Sequence, residues 1–404
     1  MNVRRSAAVL AATAVIGTAT PVMAASPSPS PSVAVPSGLY GTSDPTYDGV
    51  WRQSLALIAQ HKSDVRPATK AVDWLLGQQC ANGAFAAFRA EPAKACDAKV
   101  MVDTNSTAAA AQALSLAGDG DHMDVALKAV TWLKSVQNKD GGWGYTPGGP
   151  SDANSTSVVI GALNAVGQDP DTAVKDGKSP YDALRKLALP CEDGGAFAYQ
   201  PDKKGKLTAN ADATAAAVVG LKGMSMESAK AADDTDLSCT DATKAEPDQV
   251  AANGASYLAE AMEKDSHLMS ALAGAEDQPD FGNTADAVVA LAVTAGPKAA
   301  EKPLTWLEKN SADWAKQNGP AAYAQLILAA EAAGADPRTF GGTDLVKQLN
   351  ATGPEPKTQA TAKAAEKAED DEDGVSVWWI IGVGLVAGIG VGFLFTGRNK
   401  GQQL

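Results

Sequence analysis

The chain has 404 residues, 45% of them apolar but only 5% aromatic, and a formal charge of −13. That length admits one large domain or about two or three average ones. The acidic balance excludes nucleic acid as a partner, because phosphate recognition needs a basic footprint, and it reads as a solubility device. Alanine is abundant and loses no side-chain entropy in a helix, so the composition favours helices.

The two termini predict a compartment. Arg4 and Arg5 precede the apolar stretch from Ala7 to Thr18, and Val22-Met23-Ala24 follows. A charged start, a short apolar run and small residues at its end make residues 1–24 a signal peptide, for the general secretory route in preference to the twin-arginine one. The apolar run is shorter than the ~20 residues that span a bilayer. Residues 25–37 alternate Ser and Pro, a semi-extended spacer that buries no core. The folded body is expected over 38–353, and a charged, aromatic-free linker over 354–374. Residues 375–396 are apolar and uncharged, include Trp378-Trp379 near their start, and are followed by Arg398 and Lys400. This predicts a transmembrane helix that anchors the body outside the cell membrane, with 397–404 as a cytoplasmic stub.

In chain order, the body alternates two kinds of predicted helix. One kind is nearly free of charge: it opens at 48–60 and recurs at 104–117, 154–166, 211–224, 284–295 and 321–333. The other is amphipathic: 67–79, 124–137, 181–189, 249–262, 303–310 and 344–350. A helix apolar all round is buried, and one with a charged face can cover it. Six of each, in alternation, predict an all-α fold, an (α/α)6 toroid of six inner and six outer helices. An open solenoid would leave the charge-poor set unexplained.

The outer helices run into Gly-rich loops. Lys128-Ala129, Trp132-Leu133, Gln137, Gly141 and Trp143 recur at the same spacing as Lys70-Ala71, Trp74-Leu75, Gln79, Gly83 and Phe85. This pattern resembles the glutamine-tryptophan repeat of squalene and oxidosqualene cyclases and of protein prenyltransferase β subunits. That superfamily shares its toroid with the thioester domain of complement-like proteins and with the helical domain of transcobalamin and intrinsic factor. Fold alone does not choose among them. The loop residues have structural roles to fill: Gln137 as a cap for free helix carbonyls, Gly141 and Gly142 for the turn, and Trp143 as an apolar wedge.

The enzymatic members need recognisable chemistry. A squalene cyclase protonates an alkene with an Asp-x-Asp-Asp motif. The nearest string, Asp233-Asp234-Thr235-Asp236, has Ala231 where the first Asp belongs and lies in a polar loop. Carbocation chemistry also calls for aromatic walls, whereas the inner helices are Ala, Val and Leu. A prenyltransferase needs zinc, but His61, His122 and His267 have no Cys at ligand spacing, so no metal site and no certain cofactor is expected. Of the three connectivities open to four cysteines, Cys80 with Cys96 and Cys191 with Cys239 close the shortest loops.

The N-termini of the inner helices gather at one rim of such a toroid. Asp103, Thr104, Thr107, Asp152, Asn154, Thr156, Asn210, Asp212, Thr214, Asn283, Thr284 and Asp286 fall there, with Tyr145 and Tyr199 in nearby loops as stacking surface. Capping of free backbone N–H groups explains most of them. It leaves unexplained why Asp or Asn recurs two residues apart, and why a Thr stands two turns before a Leu in each copy. A polar ring around an apolar throat has the form of a small-molecule site, so these fourteen residues are the expected ligand-binding set. Transcobalamin-like domains fit the secreted, disulfide-stapled profile. That resemblance implies a corrinoid ligand with Asp103 and Asp152 among its contacts. It also implies a partner, either a membrane transporter or a second extracellular protein, to complete the site. An isoprenoid is the other expected ligand. The runner-up is a terpenoid cyclase or prenyltransferase-like enzyme, and a third reading is a structural adhesion module. A binder predicts a polar-rimmed cavity, an enzyme a buried carboxylate with aromatic walls, and a structural module a filled throat.

Overall fold

The computed structural model describes residues 35–357, apart from 118–119, 242–245 and 271–277. The signal peptide, residues 25–34 of the spacer, the linker beyond 357, the transmembrane helix and the stub lie outside the described residues. Among the described residues no helix is long and apolar enough to cross a membrane.

The helices run α1 (Gly49–Lys62), α2 (Thr69–Gly77), α3 (Thr104–Ser115), α4 (Gly120–Ser135), α5 (Ala153–Ala165), α6 (Pro180–Arg185) and α7 (Ala211–Leu221). They continue with α8 (Pro247–Ala261), α9 (Phe281–Ala295), α10 (Pro297–Asn310), α11 (Ala312–Asn318), α12 (Pro320–Ala332) and α13 (Leu345–Ala351). The charge-poor set packs side by side as α1, α3, α5, α7, α9 and α12, and α12 returns to α1, which closes the ring. The amphipathic set lies outside it: α4 rests on α3 and α5, α8 on α7 and α9, α10 on α9, and α13 on α12. The fold is an α/α toroid.

Small side chains let the inner helices approach closely. Ala108 to Ala111 are all fully buried in α3, as are Ala213, Ala217 and Val218 in α7. At the α5–α7 seam a Cβ on Gly220 would lie 2.6 Å from Ser157 Oγ, so this contact requires glycine. Larger apolar residues, among them Ile58, Leu114, Ile160 and Leu291, are buried in the same continuous core. Each stabilises the fold by about 1.5–3 kcal/mol on burial.

The glutamine-tryptophan loops hold neighbouring units together. Gln137 Nε2 donates to Gly141 O at 2.8 Å and to Ala173 O, in the next unit, at 2.7 Å. Gln79 repeats this toward Gly83 O and Val125 O. The glutamine therefore does not cap its own helix: the helix's last carbonyls already find backbone donors, which leaves the amide free to span the loop. Trp143 is fully buried and its Nε1 donates to Leu133 O at 2.7 Å. Gly141 has φ 92°, and a Cβ there would meet Ser179 O at 2.2 Å.

Disulfides join Cys80 to Cys96 and Cys191 to Cys239, each with Cα atoms 5.6 Å apart. Three local expectations change. The helix expected at 303–310 begins six residues earlier, at Pro297, and carries Pro303 inside it. A further short helix, α11, precedes α12, and Leu268–Met269 pairs with Pro279–Asp280 as a two-stranded antiparallel hairpin. Pro297 after Gly296 is the helix-starting proline, a position where a missing N–H costs nothing.

Candidate functional site

The inner helices α3, α5, α7 and α9 begin in the same way. The carboxylate or amide of Asp103, Asp152, Asn210 and Asp280 accepts the backbone N–H three residues on, at 2.7, 2.7, 2.8 and 3.0 Å. Four residues after each cap stands a threonine. The hydroxyl oxygens of Thr107, Thr156, Thr214 and Thr284 accept the N–H of Phe85, Trp143, Phe197 and Leu268, at 2.9–3.1 Å. All four threonines are fully buried.

These findings move most of the expected ligand set into the framework. Asp103, Asp152 and Asn210 are helix caps. Thr107, Thr156, Thr214 and Thr284 fasten the preceding loop to the helix, so their hydroxyls are committed. Thr104 Oγ1 donates to Gly144 O at 2.7 Å, and Asn283 is bound to Asp280 through both its backbone and side-chain nitrogens. Tyr145 and Tyr199 stand at the rim, 48% and 38% exposed, and their carbonyls accept the first N–H of α3 and of α5. The fourth cap is Asp280, not Asn283 as the sequence spacing suggested, because α9 starts at Phe281.

Asn154, Asp212 and Asp286 do meet, in the wall of a cavity of ≈ 260 Å³ along the axis of the ring. Asn105, Asn154 and Asp212 each stand two residues after a cap, and this explains the paired Asp/Asn recurrence: the first member caps the helix and the second faces the cavity. The remaining walls are Leu55, Val158, Ala215, Ala216, Val219, Val289 and Leu328, with Trp51 the single aromatic among the lining residues. The segment after α7 carries Met224, Met226 and Ala229 into the lining at the other end. It is held there by Met226 N to Gln112 Oε1 at 2.9 Å and by Lys62 Nζ to Ala229 O at 3.0 Å. Sequence reasoning missed this plug, along with Asn105, Gln112, Ser157 and Gln325.

The carboxylates are electrostatically strained. Asp286 is pushed up to about 7, first by burial and then by the charges of Asp212 and Asp280, while Gln325 Nε2 at 3.4 Å opposes the shift. Asp212 is also raised by burial, although Asn154 Nδ2 donates to it at 2.7 Å. Burial likewise raises Asp103 and Asp152 above the usual carboxylate range, opposed by their capped N–H groups. The Asp233–Asp236 string lies elsewhere: Asp234 accepts Lys298 N in an exposed contact. Among the described residues no group of three or more His, Cys, Asp or Glu could hold a metal ion.

A closed α/α toroid with a polar-topped axial cavity is the class that this fold and site define. Residues 45–189 are similar to the family model of the prenyltransferase alpha-alpha toroid domain. A drimenyl diphosphate synthase from Streptantibioticus cattleyicolor is 36% identical over 78 residues, which is 19% of this chain and 13% of that protein. Among solved structures, a single-residue variant of a glycosidase is 13% identical with a TM-score of 0.46, covering 76% of this chain and 92% of that one. A sugar epimerase from a ruminal bacterium is 13% identical with a TM-score of 0.45, covering 68% and 80%.

Proposed function

We propose that the toroid is a binding module, presented outside the cell and tethered to the membrane, that holds a small molecule in its axial cavity for delivery to a transporter or partner protein. The observation that carries this reading is the cavity: aliphatic walls topped by Asn105, Asn154, Asp212, Asp286 and Gln325. Apolar walls with a few convergent polar groups are the usual make-up of a ligand pocket. The open throat counts against a purely structural module. The scarcity of aromatic walls favours binding over carbocation chemistry.

Size narrows the ligand. Pockets that enclose drug-sized molecules measure roughly 300–1,000 Å³, so a corrinoid could rest only across the rim, against Tyr145 and Tyr199. A slender apolar molecule, such as an isoprenoid-like chain, suits the cavity itself. Native mass spectrometry of the full chain, purified in mild detergent, tests the reading. A co-purifying small molecule is expected, and it should be lost from Ala216→Phe, which fills the cavity. An adduct that survives this substitution, or none in either protein, would count against it.

One observation favours a second reading. A carboxyl group that titrates near pH 7 in an apolar chamber can serve as a proton donor. Asp286 has that character, and the partial likeness to a drimenyl diphosphate synthase suits a terpenoid cyclase-like enzyme. Turnover of a linear polyprenyl diphosphate by the wild type, abolished in Asp286→Asn, would establish it over the binding reading.

A further inference from the structure

We infer that the ligand carries an N–H-bearing ammonium group on an apolar body, with the ammonium seated beside Asp212 and Asp286. This rests on the axial cavity being the binding site.

Among the described residues, no Lys, Arg or His lines the cavity. Among those same residues, the ion pairs join Arg52 to Asp48, His61 to Glu227, Lys94 to Glu91, Arg185 to Asp182 and Lys222 to Asp248. None involves Asp212 or Asp286. Burying carboxylates near one another without a cation is costly, and proteins normally pair or neutralise them.

Three oxygens of the lining residues are unpartnered. Ser157, 7% exposed, lines the cavity with an Oγ that has no hydrogen-bond partner. Asn105 Oδ1 and Asn154 Oδ1 are also buried and unpartnered in the same wall. The orientation of Asn154 follows from its neighbour: only its amide nitrogen can donate to Asp212, so its oxygen is the free atom. Unmet buried acceptors are costly, so a ligand that brings donors to them is favoured over one that brings further acceptors.

Three alternatives fit less well. A carboxylate or phosphate ligand would meet like charge with no compensating base. A metal ion would need a set of at least three His, Cys, Asp or Glu ligands, and none occurs among the described residues. A quaternary ammonium would need an aromatic cage, and Trp51 stands alone. A primary or secondary ammonium brings donors to a wall that holds the Asp212 and Asp286 carboxylates and Asn154, while Val219, Val289 and Leu328 receive its hydrocarbon.

The test is titration calorimetry on the full chain in detergent at pH 8, with three probes of matched shape: cyclohexylmethylammonium, cyclohexylmethanol and cyclohexanecarboxylate. The ammonium is expected to bind at least about tenfold tighter than the alcohol, the increment of one charge-assisted hydrogen bond, and the carboxylate not at all. Asp286→Asn and, independently, Asp212→Asn should erase most of the ammonium's preference over the alcohol. If the alcohol binds as tightly as the ammonium, the cationic ligand is overturned and the cavity stands as an apolar site. If no probe binds, the cationic ligand is again overturned, and the native mass spectrum judges the cavity separately. A preference unchanged in both variants would place the cation elsewhere and overturn the inference.

Discussion

One hydroxyl joins Thr156 to Trp143 in both directions: Thr156 Oγ1 accepts the Trp143 N–H at 3.1 Å and lies 3.3 Å from the Trp143 carbonyl. The same threonine lies one helical turn from the cap of α5. The loop that carries the large buried indole is thereby fastened to the inner ring at the helix's first turn. Thr156→Val keeps the shape, removes the hydroxyl and leaves a buried N–H unmet. It should cost about 1–3 kcal/mol in denaturant unfolding, with Thr156→Ser restoring most of the loss. An equally stable valine variant would remove the structural role assigned to the recurrent threonines.

The seam between α5 and α7 has no room for a methyl group. Gly220→Ala would set a Cβ 2.6 Å from Ser157 Oγ and 2.9 Å from Ser157 Cβ. Overpacking of this kind costs about 1–3 kcal/mol. Ser157→Gly in the same chain should recover a large part of it. Melting temperatures of the two single variants and the double variant check the coupling, and strict additivity would argue against the contact.

Stability should fall with rising pH because of Asp286. Its carboxyl group moves from an ordinary 3.8 to about 7 on folding, so the folded chain keeps a proton that the unfolded chain releases in between. The folded state is therefore favoured most below about pH 4 and loses that advantage as pH rises toward 7. Asp286→Asn removes the dependence and should gain about 4 kcal/mol over the wild type at pH 8, with little difference at pH 4. Unfolding curves of both proteins across pH 4–8 measure this. Parallel pH profiles would mean that the carboxylate is well solvated.

The disulfide between Cys80 and Cys96 closes a short loop beside the first glutamine-tryptophan unit. Replacing both cysteines with Ser should lower stability by about 3 kcal/mol in the chain-entropy account, and leave the cavity at the far side of the inner ring unaltered. Comparison of unfolding free energy and probe binding in the two forms separates these effects.

The ring was legible because burial imposes a strong composition: helices with almost no charge must be enclosed, and five of the six predicted outer helices begin within a few residues of their observed starts. The sixth, α10, was read late because Pro303 looked like a start, while Gly296-Pro297 holds that place. The rim was legible only as a set. Capping and cavity-facing residues share one composition, and only the three-dimensional direction of successive side chains separates Asp152 from Asn154. Asp286 could have been singled out as the one charge inside α9. The plug at Met224–Ala229 was not legible, since the bonds that dock it on the ring reach residues over a hundred positions away.

A crystal structure of the full chain as purified tests the central claim most directly. The account predicts density for a bound molecule on the ring axis, within hydrogen-bonding reach of Asp286 and Asn154 and bounded below by Met226. Inner helices closed upon one another, with Val219 touching Leu328 and no space between them, would contradict it.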